Sequence, residues 1–404
     1  MKFSFGEIQA ISVFIILSSI PAIAQTPANS KPPDAIQSYL QPLVANHTLA
    51  GAVTLVATRD RIVYVQPVGY RDIAAKAAMP ADAMFWIAST SKPMTVTAFM
   101  MLVDEGKVSL DDPVEKYLPE FHGQMVKAPA PESAQAPSAS PASSQLVPAN
   151  HPILVREILS HTSGLRFKSA AQPGALDTLS LKDSVRSFAA EPLMFQPGKS
   201  WSYSNEGIDT AGRIIEVVTG MPYEEFMQQR LFFPLGMKDT TFWPNAEQLT
   251  RLAESYKVDP NSKQLIRVPI DQLTYPLSYR RHRFPMPAGG LFSTAADVAK
   301  FCQMILNGGT LDGKRYISPA SLHAMTSVEN GGMGKNDYGF GWGISKTGFG
   351  HGGAYNNAME IDTAKGWILL FMVQQDGKWG SSDGETIVPT LEKFAGDLVS
   401  RPAQ

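Results

Sequence analysis

The chain predicts an α/β fold of the α+β kind: a mainly antiparallel sheet drawn from both chain ends, covered by helices and carrying an inserted helical subdomain. Three observations predict it. Strand patterns come early, at residues 51–57 (GAVTLVA) and 62–67 (IVYVQP), joined by the polar turn Thr58-Arg59-Asp60-Arg61. Strand patterns return late, at residues 339–344, 358–362 and 367–373. Between them, to about residue 310, the pattern is helical and rich in loops.

Each element has its own signal. Phe85-Trp86-Ile87-Ala88 is a short apolar lead-in that runs into Ser89-Thr90-Ser91-Lys92-Pro93. Met94, Ala98, Met101, Leu102 and Glu105 then recur on one helical face, and Gly106 stops the helix. Pro93 suits the first turn, where its missing N–H costs nothing. Residues 127–150 (KAPAPESAQAPSASPASSQLVPAN) hold too few apolar side chains to pack, so they read as a flexible surface insertion. Helical pattern resumes at Ile153–Leu159, so the insertion sits inside one domain spanning residues 25–404. The run Asp297–Leu306 reads as an amphipathic helix that buries Cys302, the only cysteine. The apolar run at residues 367–373 is the pattern of a central strand buried on both faces, and Leu391–Val399 closes with helical period.

Composition narrows the function. The chain has 404 residues, 44% hydrophobic and 18% charged, as a soluble protein with a large core has. A net charge of -2 gives no basic field to draw it to nucleic acid or anionic membrane. No zinc-finger or RNA-binding signature occurs. Histidines and carboxylates lack metal-ligand spacing, so neither metal nor cofactor is expected. Residues 1–24 read as a signal peptide: Lys2, an apolar run from Ile11 to Ile20, and Ala22-Ile23-Ala24 before Gln25. The run is short for a membrane span, although Glu7 keeps a retained anchor open. The expectation is a periplasmic or secreted protein with no membrane span after signal cleavage. Oligomeric state is left open.

The chemistry gathers around Ser89. Ser89 and Lys92 stand three residues apart, one helical turn, with both side chains on one face. A serine hydroxyl attacks poorly unless a neighbour takes its proton, and a lysine of lowered pKa can do so. Tyr203 and Asn205 follow a Pro197-Gly198 turn; a tyrosine near lysines is a second candidate base, and Asn205 offers hydrogen bonds to a substrate amide. His351-Gly352-Gly353 forms a glycine-rich turn whose N–H groups are free to approach a ligand.

The order Ser89-x-x-Lys92, Tyr203-x-Asn205, His351-x-Gly353 resembles the serine β-lactamase-related superfamily. That superfamily joins class C β-lactamases, penicillin-binding proteins, D-amino-acid peptidases and carboxylesterases of β-lactamase fold. Supporting stretches resemble it too: Gly51-Ala52-Val53, Gly69-Tyr70-Arg71-Asp72, Leu159 to Leu165, Leu235-Gly236-Met237 and Ala288 to Thr294. The resemblance implies that Ser89 is acylated, that Lys92 and Tyr203 share the proton transfer, and that Asn205 orients the acyl amide. It implies an oxyanion hole from the N–H groups of Ser89 and Ala354. It also implies that His161 serves a structural turn. The expected function is hydrolysis of small esters or D-amino-acid amides and peptides, with weak β-lactam hydrolysis. A class C-like β-lactamase and a penicillin-binding sensor that does not turn over are the alternatives.

Three further strings compete. Gly380-Ser381-Ser382-Asp383-Gly384 matches the G-x-S-x-G elbow, but no histidine follows His351 to complete its triad. The run Gly348 to Gly353 matches G-x-G-x-x-G without a helix after it. Lys346-Thr347-Gly348 matches the β-lactamase K-T-G literally, yet His351 keeps the better spacing to the last strand. In β-lactamases of this superfamily the third motif usually carries lysine. With a histidine of unperturbed pKa near ~6.5, affinity for anionic substrates is expected to rise as pH falls through that value.

Overall fold

The computed structural model describes residues 34–127, 145–172, 174–379 and 381–400. The expected signal peptide and the bulk of the 127–150 insertion lie outside the described residues. From Ala35 onward the described chain forms one compact unit.

Seven strands form the main sheet: Gly51–Ala57 (β1), Ile62–Asp72 (β2), Ala77–Ala78 (β3), Gly343–Ile344 (β4), Gly348–Gly352 (β5), Ala358–Asp362 (β6) and Trp367–Val373 (β7). Their order is β4-β5-β6-β7-β1-β2-β3, and every pairing is antiparallel. Strands from the two ends of the chain meet at the centre, where Ala52 pairs with Val373 and Ala57 with Ile368.

All seven residues of β7 are buried. Side chains alternate across a strand, so Ile368, Leu370 and Met372 enter the larger core, and Trp367, Leu369, Phe371 and Val373 enter the smaller one. The smaller core is closed by helices Ala35–Ala45 (α1) and Ile387–Ser400 (α5). Each such side chain contributes about 1.5–3 kcal/mol on burial. Both faces being apolar, the run shows no alternation in sequence.

The helix Ser91–Asp104 (α2) lies under the sheet and against the helical subdomain, whose main helix is Asn205–Thr219 (α3); helix Ala295–Leu306 (α4) flanks it. Every α2 residue from Ser91 to Leu102 is buried, so the expected single apolar face is too narrow a reading. Glu105 lies past the helix end and pairs with Lys107 at 2.8 Å, and Gly106 takes φ +68° in the stop.

Two boundaries differ from the sequence reading. The strand expected over residues 339–344 shrinks to Gly343–Ile344, because Gly341 takes φ +76° and the Gly339 N–H turns back to the Trp342 carbonyl at 2.8 Å. The expected insertion is structured at its ends: Met125–Lys127 pairs with Leu146–Pro148, with Val126 opposite Val147. Val126 is buried and Val147 packs on the core, which holds this hairpin in place.

Candidate active site

Ser89 stands on a single 3-10 turn, Ala88–Thr90, that runs directly into α2, so it precedes the α-helix expected to carry it. Ala88 has φ +45°, a conformation that costs an L-residue energy and that its surroundings must impose. The Ser91 hydroxyl donates to the Ala88 carbonyl at 2.6 Å and helps to impose it. Ser89 alone in this turn reaches solvent; Ala88, Thr90, Ser91 and Lys92 are buried.

Lys92 Nζ lies 3.1 Å from Ser89 Oγ, 2.7 Å from Asn205 Oδ1 and 2.8 Å from the Ala288 carbonyl oxygen. Burial pushes its pKa down to about 7, against the pull of Asp209. Asp209 follows Asn205 by one turn of α3 and accepts the Ala288 N–H at 2.8 Å. One residue, Ala288, thus bridges the lysine and the carboxyl through its N–H and its C=O. Burial raises Asp209 to about 7. Sequence reasoning missed Asp209, although its i+4 spacing from Asn205 was a usable signal.

Tyr203 approaches the same point. Lys92 Nζ lies 4.6 Å from its ring centre. Burial raises the Tyr203 pKa far more than nearby Ser89 lowers it, against the expectation of an easily ionised tyrosine. His161 fixes this stretch: its carbonyl accepts the Ser202 N–H at 3.0 Å, and its Nδ1 accepts the Ser204 N–H at 3.2 Å. Its ring also packs 4.6 Å from that of Tyr203. His161 is buried, and burial with nearby Lys92 holds it uncharged.

His351, on β5, donates from Nδ1 to the Gly352 carbonyl at 2.7 Å. Nε2 is then the acceptor, 3.1 Å from the Tyr338 hydroxyl and 3.4 Å from that of Tyr203. Burial first, and Lys92 second, push His351 down to about 3. It stays neutral across the ordinary pH range, against the expected titration near 6.5. Tyr338 was not foreseen; nothing in its sequence surroundings marks it.

Ser89 lies between two cavities. The larger, about 610 Å³, is bordered by Tyr203, Tyr338, His351 and Ala354. The smaller, about 220 Å³, is bordered by Asn205, Ala288 and again Ala354. Neither the Ser89 nor the Ala354 main-chain N–H is given to an acceptor among the described residues. Gly353 borders neither cavity; a Cβ there would lie 2.7 Å from the Ile87 carbonyl oxygen, so its lack of a side chain lets this strand end come against the Ser89 turn. Lys346 is exposed and borders neither cavity with Ser89, nor does Ser382 of the rival elbow motif. Cys302 is buried in α4 and its thiol pKa is raised. Among the described residues no cluster of histidine, cysteine and carboxylate suits a metal ion, and no helix is long and apolar enough to cross a membrane.

The Beta-lactamase family model matches residues 36–388. Protein Rv1367c of Mycobacterium tuberculosis is 34% identical over 303 residues, covering 72% of this chain and 71% of its own. Esterase EstB of Burkholderia gladioli is 28% identical over 319 residues, covering 73% and 74%. The solved structure of EstCE1, described as a hydrolase with promiscuous acyltransferase activity, superposes with a TM-score of 0.71 at 22% identity, over 91% of this chain and 97% of its own, and shows the shared fold. The chain therefore belongs to the Beta-lactamase family of β-lactamase-fold serine hydrolases.

Proposed function

We propose that this chain hydrolyses small esters or D-amino-acid amides through an acyl-enzyme on Ser89. The observation that carries the reading is the buried Lys92 amine, 3.1 Å from Ser89 Oγ with its pKa lowered to about 7. Near neutral pH a large fraction of that amine is unprotonated and able to take the serine proton as Oγ attacks the carbonyl carbon. Tyr203 keeps its proton and, beside Ser89 Oγ, is the group to protonate the leaving atom; a proton passed back from Lys92 restores it. The free N–H groups of Ser89 and Ala354 are the donors for the oxyanion. Asn205 Oδ1 is taken by Lys92, which leaves its NH₂ for a substrate carbonyl. Water then repeats the sequence on the acyl-enzyme. Residues 2–24 support export to the periplasm or beyond as part of the same reading.

The cleft supports esters and amides over β-lactams. Among the described residues no lysine or arginine borders the larger cavity, so a drug carboxylate placed in it has no fixed cation, although Lys168 borders the smaller one. The test is turnover of short p-nitrophenyl esters, a D-Ala-D-Ala peptide and nitrocefin, with intact-mass analysis after a fluorophosphonate. One adduct on Ser89 is expected, with Ser89→Ala folded and nearly inactive. An adduct on Ser382, or full turnover by Ser89→Ala, would overturn the reading.

A further inference from the structure

The larger cavity holds a carboxylate that the chemistry at Ser89 does not use. Glu360 lies on β6 directly across from Gly350 of β5. Glu360 is one of the residues bordering the cavity that Ser89 and His351 also border. It gets there because Gly350 has no side chain: a Cβ at residue 350 would coincide with the Glu360 carboxylate. The strand thus gives up a side chain one residue before His351, and an acid from the neighbouring strand fills the gap.

Glu360 has no ion-pair or hydrogen-bond partner among the described residues. On its far side it borders a second hollow that also contains Lys346, Lys365, Lys393, Asp362 and Glu392. None of those lysines reaches it as an ion pair, and the charge that acts on it is Glu392, of like sign; burial and Glu392 raise its pKa to about 7. Within the cavity Asp337 adds a second acid at the rim, and Lys92 lies behind Ser89 with its donors engaged. Phe167, Trp201, Tyr203 and Tyr338 make the aromatic part of the remaining walls, and Asn336, Ile344 and Ser345 are among the rest. A half-buried acid with no ion-pair partner among the described residues, at one border of a cavity that aromatic rings also border, is the chemistry that holds an ammonium group.

We propose that Glu360 is a specificity-determining residue that binds a positively charged ammonium group, primary or quaternary, on the substrate that Ser89 attacks. This deepens the serine-hydrolase reading and rests on it. Substrates whose remote end carries an amine are preferred, and anionic ones are disfavoured by Glu360 and Asp337 together.

The experiment compares two esters of one shape at pH 8, where Glu360 is ionised: p-nitrophenyl 4-(trimethylammonio)butanoate and p-nitrophenyl 5,5-dimethylhexanoate. The wild-type kcat/KM ratio should favour the cation by about tenfold or more. Glu360→Gln, close to isosteric, should bring the ratio near one. Gly350→Ala, which displaces the carboxylate while keeping its charge, should lower the ratio as well. A ratio unchanged in Glu360→Gln, or a wild type that prefers the neutral ester, overturns the proposal. A binding measurement separates it from failure of the hydrolase reading. Calorimetry of benzyltrimethylammonium with Ser89→Ala should detect binding that Glu360→Gln, added to it, weakens about tenfold. Binding without ester turnover would remove the hydrolase reading and keep the cation site; no binding to Ser89→Ala would remove the site.

Discussion

Two long cations, Arg283 and Lys92, lie buried among the described residues, and they do opposite work. Arg283 meets Asp177 at 2.6 Å and donates to the Phe242 carbonyl at 3.0 Å. The partner carboxylate also accepts the Thr274 N–H at 2.9 Å and its hydroxyl at 2.8 Å. This pair is closed: charge meets charge, and the loops at residues 174–177 and 272–286 beside the smaller cavity are tied together. Lys92 is as deeply buried, but its three contacts are an amide, a carbonyl and a hydroxyl oxygen, and its nearest influential anion acts across the Ala288 peptide. A buried cation with a touching anion keeps its proton and holds structure. Without one, burial makes the proton easy to give up, which is the property a general base needs.

The largest expected effect tests the open side of this contrast. Lys92→Met should lower kcat/KM by roughly 10²–10⁴, the usual range for a lost general base. The variant should stay folded by circular dichroism and lose only about 1–3 kcal/mol, for the donors taken from Asn205 and Ala288. Lys92→Arg should not restore activity, because a guanidinium keeps its proton. If Lys92→Arg is active, the base reading of Lys92 fails.

The closed side should answer in stability. Asp177→Ala strands Arg283 without its anion and should cost about 3–5 kcal/mol, read from the urea midpoint. A change below about 1 kcal/mol would mean that the pair is not what ties these loops.

A smaller effect tests the coupling itself. The protonated form of Lys92 is the inactive one, so kcat/KM should rise with pH through about 7 and be lost below it. Asp209 favours the proton on Lys92, so Asp209→Asn should move that rise to lower pH. An identical midpoint in the two proteins would show that the two groups do not communicate.

The same contrast explains what could be read from the sequence. Ser89 and Lys92 are three residues apart, so their meeting is a local fact of one turn. The sheet was legible because its strands are apolar runs, and Gly106 marked the end of α2 by its type. Other features depend on pairing over distance. Glu360 enters the cavity only through its register with Gly350, which no string of residues displays. The neutral state of His351 comes from burial and from Lys92, neither visible in its neighbours along the chain. Ser89 falling on a 3-10 turn rather than on α2 itself depends on the strained Ala88 that the surroundings enforce. Asp209 is the exception, since it stood one helical turn from Asn205 and was passed over.

The central pair of strands sets a timetable. Ala57 sits beside Ile368, so the middle of the sheet joins segments made early and late in synthesis. Ser89 and Lys92 leave the ribosome long before β5, β6 and the turn between them, which carry His351, Glu360 and Ala354. Until its buried surroundings form, Lys92 stays in water, holds its proton firmly and leaves the serine inert. Contacts of such long sequence range also form slowly. The unfolded chain is in this way a poor nucleophile, and reactivity comes only with folding.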